Sequence, residues 1–134
     1  MVTYCSKQRI MRYFTALFCL FLLLSFSLSD TEKGSASYYS SSMNGRKTSS
    51  GEVFNNNLLT AAHKSIALGT MVKVTNLKND STVVLKVNDR LSKSSSHVID
   101  VTLAAAKKLN FVRNGITTVT VEPVTKPDEE LKKP

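Results

Sequence analysis

Three residues able to move protons, Glu52, His63 and Asp89, stand in short polar stretches separated by apolar, β-branched sequence. Two carboxylates and an imidazole are the parts from which general acid and base catalysis is assembled, and a carboxyl pair is what cleavage of a glycosidic bond uses. Each residue also has a plainer role open to it. Glu52 follows Gly51 in a polar loop and could be a solvated carboxylate. His63 closes the run Leu59-Thr60-Ala61-Ala62 and could be satisfied by local hydrogen bonds at a strand end. Asp89 lies in Asn88-Asp89-Arg90 at the end of an apolar strand, either as a structural ion pair or as an acid tuned by its surroundings. Asp100, inside Val98-Ile99-Asp100-Val101-Thr102, reads as structural, a support for the start of a helix.

The elements that must position these groups have a dominant period of two. Strands are expected at 36–40, 58–62, 71–76, 82–87, 98–101 and 117–124, each rich in β-branched or aromatic residues. Val72 and Val74 alternate with Lys73 and Thr75, Val83, Leu85 and Val87 alternate with Val84 and Lys86, and Asn79-Asp80 supplies the turn of a hairpin. One helix interrupts the pattern: Thr102 is a suitable N-cap, 103–109 (LAAAKKL) is strongly helix-forming, and 110–115 ends it. Leu103, Ala106 and Leu109 are expected to face the barrel. Six strands and one short helix in so few residues make an all-β closed barrel more economical than a sandwich, because closure removes exposed edges.

The remainder of the chain bounds where such a domain works. Residues 1–29 read as a signal peptide, with Lys7, Arg9 and Arg12 ahead of the uncharged run YFTALFCLFLLLSFSL and a small-x-small cut after Ser29; an uncleaved anchor is the alternative. A bulky Phe18 before Cys19 argues against lipidation. The chain's 2 cysteines, Cys5 and Cys19, both fall in this segment, so the exported part needs neither disulfide nor thiol chemistry. Three of the 18 basic residues and none of the 10 acidic ones fall there too, leaving the exported part with a net charge of +5. That balance suits an anionic wall or membrane surface. Nucleic acid is not expected as a partner, since no basic stripe with interleaved aromatics is present. Residues 34–124 form the domain, and the charged, proline-bracketed 125–134 reads as a disordered tail.

The segments GSASYYS, NGRKTSSGEVF, TAAHKSIALGTMVKVTNL, VVLKVNDR and HVIDVTLAAAKKL, in this order and at these spacings, resemble the rare lipoprotein A (RlpA) family. The resemblance implies a six-stranded double-psi β-barrel, the fold shared with expansins and barwin-like proteins. It also implies an endolytic peptidoglycan lytic transglycosylase that prefers glycan strands stripped of stem peptides. By motif, Glu52 matches the family's GE-x-F glutamate, His63 the TAAH histidine and Asp89 the NDR aspartate, and these are the expected catalytic residues. Asn88 and Arg90, from the same motif, are expected to support them on the substrate. Two stretches depart from the pattern: Leu91-Ser92-Lys93 follows Arg90 where Gly-Pro and an aromatic are usual, and His97-Val98 stands where an arginine is usual.

Cleavage of the bond between N-acetylmuramic acid and N-acetylglucosamine needs an acid for the leaving oxygen, then removal of the proton from the muramoyl 6-hydroxyl as it attacks the anomeric carbon. One carboxyl can do both if its pKa lies near the working pH, and an apolar barrel surface would raise it. Asp89 is expected in that role, with Glu52 stabilising oxocarbenium-like charge and His63 orienting a carboxylate or touching the sugar. Tyr38, Tyr39 and Phe54 are the expected sugar-binding aromatics, although adjacent strand residues face opposite sides, so one tyrosine belongs to the core. His63 and His97 show no ligand spacing, so neither metal nor cofactor is expected. The expected molecule is an exported monomer of the periplasm or cell envelope. A noncatalytic wall-binding module is the alternative, and an exported effector or inhibitor of another protein a third reading.

Overall fold

The computed structural model describes residues 7–11, 13–14 and 30–124. Most of the expected signal segment, both cysteines and the whole of the expected disordered tail lie outside the described residues.

Six strands, β1 (Glu32–Tyr38), β2 (Thr60–His63), β3 (Met71–Asn76), β4 (Thr82–Arg90), β5 (Ile99–Val101) and β6 (Thr117–Pro123), and the helix α1 (Leu103–Lys108) carry the domain. They close in the order β1-β5-β2-β4-β3-β6. β1 runs parallel to β5 and β2 parallel to β4, while the other neighbours are antiparallel. The barrel leaves no open strand edge among these six.

Alternation decides what fills it. Val72, Val74, Val83, Leu85, Val87, Ile99, Val101, Val119 and Val121 point inward and meet Ala36, Ala61 and the helix side in one buried cluster. On α1 the inward residues are Ala105, Ala106 and Leu109, whereas Leu103 is only half-buried. The reason is the cap: Thr102 Oγ1 accepts from Ala105 N at 3.4 Å and donates to the Leu58 carbonyl at 2.5 Å, fixing the rotation of the first turn. At the other end the Leu109 carbonyl accepts from Asn76 Nδ2 (2.8 Å), Asn79 Nδ2 (3.1 Å) and Ser81 Oγ (3.0 Å), so the β3–β4 turn caps the helix.

Two strands differ in extent from the alternation. β1 starts at Glu32 because residues 32–36 pair in register with residues 117–121, although Lys33-Gly34-Ser35 has no strand-forming bias. β4 runs on to Arg90 because β2 pairs with its polar end.

Candidate active site

The pairing of β2 with β4 contains one irregularity, and it makes the site. Ala61 stands opposite Val87 and Ala62 opposite Asp89, so Asn88 is an extra residue in β4. Strict alternation would send Asp89 inward behind Val83, Leu85 and Val87. The bulge at Asn88 turns it to the outer face instead, beside Ala62.

There Asp89 is half-buried and accepts four hydrogen bonds. Oδ1 takes three, from Ser49 N (2.9 Å), Ser49 Oγ (2.8 Å) and Arg90 N (2.9 Å). Oδ2 takes one, from the Tyr39 hydroxyl at 2.7 Å. Burial disfavours the charged carboxylate, but the donors from Ser49, Tyr39 and Arg90 favour it more strongly, so its pKa lies below the usual aspartate value. The expectation of a raised pKa is therefore corrected: the hydrogen-bond donors together outweigh burial at this carboxylate. Tyr39 moves the other way. Burial, the bond to Asp89 and the charges of Asp89 and Asp100 push its phenol well above the ordinary tyrosine value.

Glu52 comes to the same region on the loop 46–54. Phe54 N donates to Arg46 O (2.7 Å) and Thr48 N to Glu52 O (2.8 Å), and Gly51, at φ 86°, makes the turn between them. Ser50 N then docks the loop tip on the Asn88 carbonyl at 3.1 Å. The exposed Glu52 carboxylate receives Lys86 Nζ at 2.8 Å and Asn88 Nδ2 at 3.3 Å. These two bonds, Lys86 first, hold its pKa below the ordinary glutamate value. Asn88 is itself buried and acts on Glu52 from beneath.

His63 has a different setting. Its ring is 1% exposed, with Nε2 2.9 Å from Glu32 Oε2 and Nδ1 accepting from Ser65 N (3.2 Å) and Ile66 N (3.1 Å). An Nδ1 that accepts twice leaves the proton on Nε2, which donates to Glu32. These contacts place the ring at the end of the barrel, against a cavity of about 240 Å³ whose lining includes Asp30, Glu32, Ile66 and Pro123. Loop 46–54 is tied to both carboxylates, carrying Glu52 itself and holding Asp89 through Ser49, and His63 has no hydrogen bond to either. Arg90 also turns to this end, donating Nη1 to the carbonyls of His63 (3.1 Å) and Ile66 (2.6 Å), so it clamps the 63–66 loop.

The aromatics divide as strand geometry requires. Tyr38 faces the core side, its ring edge-on to Phe111 at 5.9 Å and its hydroxyl on the Val112 carbonyl at 3.0 Å. Tyr39 faces Asp89 and lies on Phe54, with ring centroids 4.5 Å apart. Phe54 is buried, so it supports Tyr39 rather than offering a stacking face.

One further carboxylate belongs to this surface. Across the outer face the register runs Ser37, Asp100, Ala62, Asp89 on β1, β5, β2 and β4. Asp100 does not cap α1, which Thr102 does; it accepts from Ser37 Oγ and faces outward. The alternation of apolar Ile99 and Val101 around it was the available signal. Ala62 stands opposite both aspartates in the register, and Tyr39 feels the charge of both. Ser49 and Lys86, which hold the two expected carboxylates, carried no motif of their own in the sequence. Among the described residues no group of three or more His, Cys, Asp or Glu could hold a metal ion.

The closed barrel, with two parallel strand pairs and carboxylates on its outer face, has counterparts among known proteins. The family model described as lytic transglycolase, for a double-psi β-barrel, matches residues 31–121. The chain belongs to this lytic transglycolase family. Its relatives in the family include the endolytic peptidoglycan transglycosylase RlpA of Neisseria meningitidis, 45% identical over 94 residues that cover 70% of this chain and 39% of the relative. RlpA of Rickettsia felis is 44% identical over 106 residues, covering 77% and 46%. The chain thus spans less than half the length of these curated relatives. Among solved structures, a Streptomyces papain inhibitor aligns with TM-score 0.60 at 20% identity, over 73% of this chain and 97% of the other. An expansin of Clavibacter michiganensis, in complex with cellohexaose, aligns with TM-score 0.59 at 23% identity, over 72% and 52%. These two establish the shared double-psi barrel of the lytic transglycolase family and nothing beyond the fold. Among the described residues no helix is long and apolar enough to cross a membrane.

Proposed function

We propose that the groove is the active site of an endolytic peptidoglycan lytic transglycosylase working in the cell envelope after export. The observation that carries this reading is Asp89, turned out of the barrel by the bulge at Asn88 and flanked by a second carboxylate, Glu52, on a loop docked to the same strand. The names and identities of the RlpA relatives support it.

In this reading a glycan strand lies along the outer face past Tyr39, Asp89 and Glu52. Asp89, protonated in the bound state, gives its proton to the oxygen leaving the muramoyl anomeric carbon as that C–O bond breaks. The muramoyl 6-hydroxyl then attacks the same carbon, and its proton passes to the Asp89 carboxylate, which is restored. The product is a 1,6-anhydro-muramoyl end, and no water is consumed. Glu52, held ionised by Lys86, faces the positive charge that develops on the sugar ring. Asn88 and Arg90 position the two carboxylates from behind. His63 with Glu32 fixes the barrel end on which Arg90 closes.

Mass spectrometry of glycan strands, with and without stem peptides, after incubation with wild type and a folded Asp89→Asn variant tests the reading. Anhydro-muramoyl ends formed by wild type alone are expected. Reducing ends would point to a hydrolase. A second reading has one observation in its favour: hydrogen-bond donors surround both carboxylates and favour their ionised forms, a state suited to holding hydroxyl groups as well as to catalysis. Intact strands that nevertheless bind would favour that noncatalytic wall-binding module.

A further inference from the structure

The two oxygens of Asp89 are held unequally. Oδ1 is fixed by three donors that belong to the scaffold: the backbone and hydroxyl of Ser49 and the backbone of Arg90. Oδ2 has one partner, a side chain from another strand, Tyr39 Oη at 2.7 Å. An oxygen with three rigid donors cannot exchange protons with a substrate without breaking the loop. Oδ2 can, once a single phenol moves. That phenol is mounted to move: Tyr39 follows the last residue of β1, is half-buried, and lies on Phe54, so rotation about its side-chain bonds leaves the backbone bond from Tyr39 N to Val101 O (3.0 Å) in place.

We propose that Tyr39 is a positioning residue that latches the working oxygen of Asp89 in the free protein and releases it when a glycan strand binds. Sugar hydroxyls and the apolar face of a pyranose ring compete for both parts of the side chain, the phenol oxygen and the ring on its Phe54 support. With the latch closed, Asp89 keeps four donors and stays ionised. With it open, the carboxylate loses one donor, water is excluded by the strand, and a proton from solvent adds to Oδ2. That proton is the one later given to the leaving oxygen and recovered from the 6-hydroxyl. Among the other ionisable groups nearby, Asp100 acts on this bond through its charge, which keeps the proton on the Tyr39 phenol. Glu52 is committed to Lys86 and Asn88, Arg90 points its guanidinium at two carbonyls, and Asp100 lies across Ala62 with Ser37 as its partner.

The inference rests on the transglycosylase reading for its purpose, but its test does not depend on turnover. In the full-length chain, ¹³C NMR of the Asp89 carboxyl is titrated with and without a GlcNAc–anhydro-MurNAc disaccharide, which cannot react further. Tyr39→Phe keeps the ring on Phe54 and removes the hydroxyl. Its Asp89 midpoint should lie about one pH unit above wild type in the free protein, the size of one bond to a charged group. Saturating disaccharide should raise the wild-type midpoint and move that of Tyr39→Phe less than half as far. In the pH–rate profile of kcat/KM the limb set by Asp89 should shift upward in Tyr39→Phe by the same amount. An unchanged midpoint in Tyr39→Phe overturns the latch, as do equal ligand shifts in both proteins or a wild-type midpoint unmoved by saturating disaccharide. The expected titrations without any anhydro-muramoyl product would sink the transglycosylase reading and leave the latch standing.

Discussion

Replacing His63 by alanine separates a structural histidine from a catalytic one. The ring is 1% exposed, so its loss opens a cavity and removes about 1–2 kcal/mol of packing. It also strips Ser65 N and Ile66 N of their acceptor and Glu32 of its donor. Those backbone groups belong to residues that are exposed or half-buried, so water partly replaces the ring, and a value near the low end, about 1 kcal/mol for each, applies. The sum is about 3–4 kcal/mol. For a domain of this size that lowers Tm by about 12–30 °C, which most domains survive at room temperature. Thermal unfolding followed by circular dichroism, beside glycan cleavage assayed well below the variant's Tm, reads both consequences. Turnover should follow the folded fraction, with a further loss of no more than about tenfold from loosening the 63–66 loop under Arg90. A variant melting within a few degrees of wild type but devoid of activity would refute this reasoning and return His63 to the chemistry.

Other perturbations reach other parts of the molecule. An alanine Cβ at position 34 would collide with Val98 Cγ1, so Gly34→Ala should cost about 1–3 kcal/mol in urea unfolding, and Val98→Ala should recover most of it in the double variant. Asp89 is held below its unfolded pKa of about 3.9, so its contribution to stability is fully present above that pH and is lost as pH falls through the folded value. Urea midpoints measured downward from pH 6 should therefore fall more steeply below about pH 4 in wild type than in Asp89→Asn. Lys86→Met removes the first cause of the lowered Glu52 pKa; the Glu52 carboxyl should titrate at higher pH by NMR while Tm stays near that of wild type, because the pair is exposed.

The fold was legible where one face of a strand is buried. Val72 and Val74, and Val83 through Val87, announce β3 and β4 by alternation, and Thr102 ahead of LAAAKKL announces α1. The crossing that makes the barrel double-psi could not be read this way, because parallel and antiparallel neighbours bury the same inward face. The bulge was hidden for a related reason: counting by two puts Asp89 inside with Val87, and only the partner strand reveals that Asn88 is supernumerary. Glu52 and Asp89 stood out in their motifs, but their ionisation could not be read, since it depends largely on Ser49, Tyr39 and Lys86 arriving from elsewhere in the chain. Asp100 is held by Ser37, as a structural carboxylate would be, but it does not support the helix, which Thr102 caps.

The pairing order also governs how the chain can become folded. β3 and β4 are adjacent in sequence and can zip as a hairpin, but β1 finds its partners only in β5 and β6, with Ser37 and Asp100 63 positions apart in the chain. The first strand synthesised is therefore the last to be closed in, and the seam waits for the final strand to emerge. The row of Ser37, Asp100, Ala62 and Asp89 is complete only once β1 has paired with β5. A substitution in the hairpin should slow folding, whereas one along the β1–β6 seam should mainly speed unfolding. Late closure also keeps the nascent chain open for most of its synthesis, since the β1–β6 pairing cannot form until residues 117–123 have been made.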